Sequence, residues 1–215
     1  MKVVKVTSRN VVAAIDRAIA VLSSGGSVVY PTETAYGLGV DATNEDAVRR
    51  MYEIKGRGLK QPTHINVSSV AMAERFVQLS HDHQRLTKKF WPGSLTVVAR
   101  LTPNARMRTS LRSIAKNDLL GVRVPKQKIA LALIEHFGQP ITASSANRNG
   151  GKTPYAVGVV IKEFEQGDAR PDLILDCGKL AGRKPSTLIT LENKKLHILR
   201  EGPITKAMLE RILRP

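Results

Sequence analysis

The 215-residue chain is 42% apolar and has one cysteine, and its 34 Lys and Arg against 18 Asp and Glu leave a net charge of +16. That length and apolar fraction exclude a disordered chain, no apolar run reaches the ~20 residues of a membrane helix, and Lys2 to Val6 is charged and alternating, unlike a signal peptide. A lone cysteine excludes an internal disulfide and predicts a reducing cytoplasm, with Cys177 a small buried hydrophobe, while the positive charge favours anionic partners such as nucleotide phosphates or nucleic acid.

The elements follow from periodicity. Val11, Ile15, Ala18, Ile19 and Leu22 fall at helical spacing and predict a helix over Asn10–Ser24, ended by Gly25-Gly26. A buried strand follows at Ser27–Tyr30, then a polar turn from Pro31 to Thr34 and an apolar stretch to Val40. Thr43 reads as an N-cap with Asp46 three residues on, opening a helix to about Lys55 with Val48, Met51, Tyr52 and Ile54 inward. Further strands are predicted at Thr63–Val67, Leu95–Leu101, Leu119–Val124, Pro140–Ala143, Leu173–Asp176, Ser186–Leu191 and Leu196–Arg200. Helices are predicted at Val70–Gln78, Asp82–Phe90, Lys128–Phe137, Tyr155–Phe164 and Thr205–Leu213. Strands alternate with helices early and the last two strands are close enough to form a hairpin, so the fold class is α/β with a mixed sheet. No linker or repeat divides the chain, which reads as one domain.

Two nucleotide signatures fail on inspection. Gly151-Lys152-Thr153 has Ala146 where a P-loop needs glycine, and Gly37-Leu38-Gly39 lacks the strand that leads into a dinucleotide fingerprint. These glycines are expected instead to allow positive φ or the approach of a ligand. Three polar clusters break apolar segments and carry more. Pro31 to Tyr36 places hydroxyls and a carboxylate at strand ends, where burial needs partners, although a self-bonded turn explains it too. Lys55-Gly56-Arg57 sets two cations at a helix end, suited to a phosphate clamp or to the helix dipole. Ile141 to Asn147, followed by Arg148 to Gly151, offers small hydroxyl residues and glycines to a phosphate. His64, His81, His83, His136 and His197 show no metal-ligand spacing, so no metal site is predicted, and His81 and His83 read as surface residues.

Taken together and in this order, the clusters resemble the YrdC/TsaC family of threonylcarbamoyl-AMP synthases. The matching segments are Tyr30–Gly39, Lys55–Arg57, Phe90–Thr96, Gly121–Pro125, Ser145–Asn147, Lys184–Leu188 and Ile198–Gly202, so the resemblance covers about residues 10–205. It implies a single YrdC-like domain over 1–215, the short form without an extra C-terminal domain. The implied fold is a twisted mixed parallel and antiparallel sheet flanked by helices, with a positively charged concave face. The implied reaction joins L-threonine, bicarbonate or CO2 and ATP into threonylcarbamoyl-adenylate and pyrophosphate, for threonylcarbamoyladenosine modification of tRNA.

By that resemblance Lys55, Arg57, Ser145 and Asn147 are catalytic. Thr32, Thr34, Tyr36, Asn66, Arg123 and Ser186 would bind threonine or its carbamate. Gln61, Thr153 and Arg200 would join the four catalytic residues in holding ATP. Mg²⁺ would arrive on ATP, no redox cofactor is implied, and partners would include downstream threonylcarbamoyl-transferase proteins and tRNA. Departures from the family pattern are Gly58 for proline, Gln61 for asparagine, Asn66 for a histidine with His64 two residues earlier, and Asn149-Gly150 for Ser-Gly. The alternative is a non-catalytic RNA-binding protein of the same fold, toward which Lys184–Thr187 and Arg200–Gly202 lean. Lys55, Arg57, Ser145 and Asn147 discriminate for the enzyme.

Overall fold

The computed structural model describes residues 1–59, 61–165, 167–193 and 195–214. Strand β1 (Lys2–Lys5) precedes helix α1 (Val11–Ser23), whose Ala14, Ile15, Ala18 and Leu22 are buried on one face at the 3.6-residue repeat. Strands β2 (Val28–Pro31) and β3 (Tyr36–Gly39) are buried along their whole length and are joined by the polar turn. Helix α2 (Glu45–Lys55) is capped by Asn44, whose side chain accepts the Ala47 N–H. The expected cap, Thr43, instead donates its hydroxyl to the Asp41 carboxylate at 2.7 Å. Asn44 wins because its oxygen reaches the N3 amide from the residue that adjoins the helix.

Strand β4 (His64–Asn66) and helices α3 (Val70–Glu74) and α4 (His81–Phe90) follow, then β5 (Leu95–Arg100). His83 is buried, not a surface residue: with Ser80 it forms a capping box at the start of α4. Two short helices, α5 (Pro103–Arg106) and α6 (Thr109–Ile114), occupy a stretch that sequence periodicity left empty. Then come β6 (Leu119–Arg123), α7 (Lys128–Phe137), β7 (Ile141–Thr142), β8 (Ser144–Ser145), α8 (Val157–Glu165), β9 (Leu173–Asp176), β10 (Thr187–Glu192), β11 (Lys195–Arg200) and α9 (Lys206–Leu213).

The strands divide into two sheets where the sequence suggested one. The five-stranded sheet runs β1-β9-β2-β3-β8 and the six-stranded sheet β11-β10-β5-β6-β4-β7. Both mix directions: β9 is parallel to β1 and β2, while β2–β3, β5–β6 and the β10–β11 hairpin are antiparallel. The sheets meet at residues 140–146. Thr142 donates its amide to Val40 next to β3, Ala143 donates to His64 of β4, and Ala146 donates to Tyr36 of β3. One extended segment thus satisfies its backbone from both sheets and stitches them together. The buried apolar residues form one contiguous cluster, with α1 packed on α7 and against the five-stranded sheet. No helix among the described residues is long and apolar enough to cross a membrane.

Gly37 and Gly39 have a packing explanation. Neither has positive φ, and a Cβ on Gly39 would stand 2.7 Å from the Tyr30 ring, one on Gly37 3.3 Å from it. They make room for a fully buried Tyr30 on the paired strand, which corrects the expectation of a left-handed turn, while Gly37 also reaches the cavity wall.

Candidate active site

A cavity of about 550 Å³ opens along the seam between the sheets. Five cations line it, Arg57, Lys116, Arg123, Arg183 and Arg200, against one carboxylate, Glu192, among the described residues. Of the residues proposed from sequence, Thr32, Thr34, Tyr36, Arg57, Asn66, Arg123, Ser145, Thr153, Ser186 and Arg200 lie in its wall. Lys55 and Asn147 are buried behind the wall, and the exposed Gln61 holds Arg57 from the surface.

The polar turn after β2 is organised by Thr32. Its hydroxyl donates to the Ala35 carbonyl at 2.7 Å and accepts the amides of Thr34 and Ala35. The Thr34 hydroxyl is 2.9 Å from that of Thr32 and accepts from the Arg123 guanidinium at 3.4 Å. Arg123, at the end of β6, is buried; its Nε donates to the Gly93 carbonyl at 3.0 Å and its Nη2 pairs with the Glu33 carboxylate. Glu33 therefore balances Arg123 from outside the cavity, leaving the guanidinium's edge toward Thr34.

Arg200, at the end of β11, donates to both the carbonyl and the hydroxyl of Ser186 at 3.0 Å, and the Ser186 and Thr96 hydroxyls are 2.7 Å apart. Burial, reinforced by the Arg123 charge, pushes the Arg200 guanidinium below its ordinary value. Asn66, the strand partner of Arg123, is fully buried. Its Nδ2 donates to the Tyr30 hydroxyl at 2.9 Å, while its Oδ1 has no partner among the described residues. His64, two residues earlier on the same strand face, also lines the cavity. Burial, then Arg200, Arg123 and Arg57, hold its imidazole down to about 3, so it is neutral at physiological pH. Burial pushes the Tyr36 phenol up to about 12; its hydroxyl donates to the Gly178 carbonyl and accepts the Cys177 amide.

Lys55 closes α2 and is only 3% exposed. Its ammonium donates at 2.6 Å to the carbonyls of both Ser145 and Asn147. Burial, then the Arg57 charge, lower it to about 8, opposed by Glu163. The Asn147 side chain donates to the carbonyls of Arg148 and Gly151 at 2.9 Å, folding the loop on itself, while Ser145 stays exposed in the cavity wall. Arg57 is positioned by Gln61, whose Oε1 accepts its Nε–H at 2.6 Å, and by the Pro62 carbonyl.

Sequence reading missed the far half of the cavity. Val98, Leu119, Leu188 and Leu199 present an apolar sheet face there, edged by Lys116 and Asn117. Leu188, Thr190 and Glu192 show the period-two signal that marks one face of β10. Lys116 and Asn117 sit on a two-residue turn at Asn117-Asp118, both with positive φ, and only the Asn-Asp pair hints at it. Among the described residues no cluster of three His, Cys, Asp or Glu could hold a metal.

Residues 20–202 match the Sua5/YciO/YrdC family, described as "Telomere recombination". The chain is 35% identical over 202 residues to the threonylcarbamoyl-AMP synthase of Bacillus subtilis (strain 168), covering 94% of itself but 57% of that protein. It is 32% identical over 190 residues to a putative threonylcarbamoyl-AMP synthase of Methanocaldococcus jannaschii, covering 85% of that protein. The crystal structure of Pyrococcus abyssi Sua5 complexed with L-threonine superposes with a TM-score of 0.85 at 32% identity, over 98% of this chain and 60% of that one. The chain thus spans little more than half of some relatives and most of others. With a mixed α/β architecture and a cationic cavity between two sheets, this chain belongs to the Sua5/YciO/YrdC family.

Proposed function

We propose that this cavity makes threonylcarbamoyl-adenylate and pyrophosphate from L-threonine, bicarbonate or CO2 and ATP. The observation that carries the reading is the gathering of Arg57, Arg123 and Arg200 around one hollow, together with the hydroxyls of Thr34 and Ser186 and an unpartnered amide oxygen. Every reactant is anionic or becomes so, and fixed guanidiniums stabilise such charge without reorganising. Threonine's carboxylate fits Arg123, Ser186 and Thr34. Its amine and hydroxyl are donors, and Asn66 Oδ1 and the neutral His64 are acceptors in an otherwise donor-rich site.

In the first step the amine nitrogen bonds to the carbon of CO2 and loses a proton, giving a carbamate. In the second, a carbamate oxygen attacks the α-phosphorus of ATP, the α–β anhydride P–O bond breaks and pyrophosphate leaves. Arg57, with the loop of Ser145 held by Lys55 and Asn147, would take the phosphate charge, and Thr153 and Arg200 the remainder of the nucleotide. Holding carbamate and α-phosphorus in line is the larger part of such catalysis. Mg²⁺ enters on the triphosphate as part of the substrate. The product would pass to transferase proteins that modify tRNA, in the cytoplasm, and residues 1–215 would act as one unit.

The test is pyrophosphate release from Mg·ATP with threonine and bicarbonate each present and each omitted. Release that requires both is expected. No release from folded protein that retains RNA binding would overturn the reading in favour of the RNA-binding alternative.

A further inference from the structure

Glu163 lies on α8, outside the cavity wall, and belongs to none of the sequence clusters. Its Oε1 accepts the Arg148 backbone N–H at 3.1 Å, and a Cβ on Gly151 would stand 2.1 Å from the same oxygen. The loop 145–151 therefore wraps closely around this carboxylate. From the other side the loop is held by α2: Lys55 donates to Ser145 and Asn147, and the Asn149 amide donates back to the Lys55 carbonyl at 2.8 Å. The Arg148 side chain lies between Gly56 and Gly167, where added Cβ atoms would meet its guanidinium at 3.1 and 2.2 Å. The end of α2, the loop and α8 form one clamp, with Ser145 on its cavity side.

Within this clamp the Lys55 ammonium is bonded to two neutral carbonyls. Of the charges around it, Arg57, just beyond the end of α2, opposes it, and the Arg148 guanidinium lies over Gly56. On α6, which also packs on α2, the cation Arg112 is exposed. Tyr36 on β3 and Tyr52 on α2 are phenols pushed up by burial, hence neutral. Glu163 is the anion among these groups. We infer that Glu163 is a positioning residue for the active site: its carboxylate seats the loop that carries Ser145 and provides the counter-charge for the Lys55 ammonium. The inference rests on the proposed reaction only in giving Lys55 and Ser145 a catalytic purpose.

Three variants separate the two roles. Glu163→Gln keeps an oxygen for the Arg148 N–H and loses the charge, Glu163→Asp keeps the charge, and Glu163→Ala loses both. The primary readout is the pH titration of the Lys55 ¹³Cε signal in the substrate-free protein, assigned through its loss in Lys55→Met. The wild-type midpoint should lie near 8, shift to lower pH in Glu163→Gln, because an opposite charge nearby favours the charged form, and recover in Glu163→Asp. The alkaline limb of pyrophosphate release should move by the same amount in Glu163→Gln, whereas Glu163→Ala should also raise KM for ATP. An unchanged midpoint in folded Glu163→Gln would overturn the inference whatever the activity. A falling midpoint in a wild type and variant that release no pyrophosphate would support the clamp and overturn the proposed reaction instead.

Discussion

Lys55 shows how burial and charge set one residue's behaviour. Taking an ammonium out of water disfavours its charged form, and two carbonyls compensate only in part. In the unfolded chain the group titrates at its ordinary value of 10.5, in the fold at about 8. Between those values the unfolded chain holds more protons than the native one, so this residue's contribution to stability rises with pH from about 8 to 10.5. Below about 8 it bears a constant penalty of up to about 3 kcal/mol. Urea unfolding of wild type and Lys55→Met should therefore diverge in favour of wild type as pH rises through this window; a pH-independent difference would refute the burial argument. Arg57 is only half-buried, and Arg57→Ala should remove adenylate formation with the melting temperature little changed. Lys55→Ala should remove it too, and should also cost about 1–3 kcal/mol for the carbonyls left unpaired, read as a lower melting temperature. At His64 three guanidiniums favour the neutral ring. Pyrophosphate in the cavity would offset them, so an NMR titration of the imidazole should move to higher pH when pyrophosphate is added, and stay put if the anion binds elsewhere.

At the level of elements, most boundaries set by apolar spacing came through, but the helix expected over Val70–Gln78 ends at Glu74, with Val77 bridged to Leu101, and a boundary set by side-chain geometry moved. The stripe Ala14, Ile15, Ala18 and Leu22 fixes α1, and β9 occupies Leu173–Asp176 as read from its apolar run. The cap of α2 moved by one residue because a threonine and an asparagine in succession both suit capping, and only the backbone decides between them. Asn44→Ala should cost about 1 kcal/mol and Thr43→Ala less, measured by thermal unfolding; the reverse order would restore Thr43. α5 and α6 escaped notice because helices of four and six residues show no full apolar repeat. Gly202 follows β11 against the entry of β10, where a Cβ would lie 2.4 Å from the Pro185 carbonyl oxygen and the Thr187 nitrogen. Gly202→Ala must push these segments apart and draw Arg200 from Ser186. It should destabilise the fold by about 1–3 kcal/mol and raise KM for ATP; wild-type kinetics would show that the contact does not serve the site.

For the molecule as a whole, the list of polar residues was largely legible from sequence, and their arrangement was not. Ten of the thirteen line the cavity and three, Lys55, Gln61 and Asn147, hold its lining residues without lining it themselves. That distinction depends on pairings far apart in the chain, such as Tyr36 with residues 146 and 178, which no local pattern encodes. The same holds for the two sheets, whose junction is made by three backbone bonds of residues 142–146. A ligand across the seam contacts both sheets, so saturating ATP should raise the stability of the whole fold by about 3 kcal/mol at a hundredfold excess over Kd. With +16 net charge, that affinity should weaken as salt is raised.

The strand order of the five-stranded sheet also governs how the chain must be made. β9 lies between β1 and β2, the first two strands of the chain, and pairs in parallel with both. On a ribosome adding roughly 5–20 residues per second, β1 waits on the order of ten to thirty seconds for β9, its one strand neighbour among the described residues. Until then Val28 and Val29, fully buried in the finished fold, have one edge open. The nascent chain thus exposes an apolar strand for most of its synthesis, the interval in which a holding chaperone has something to hold.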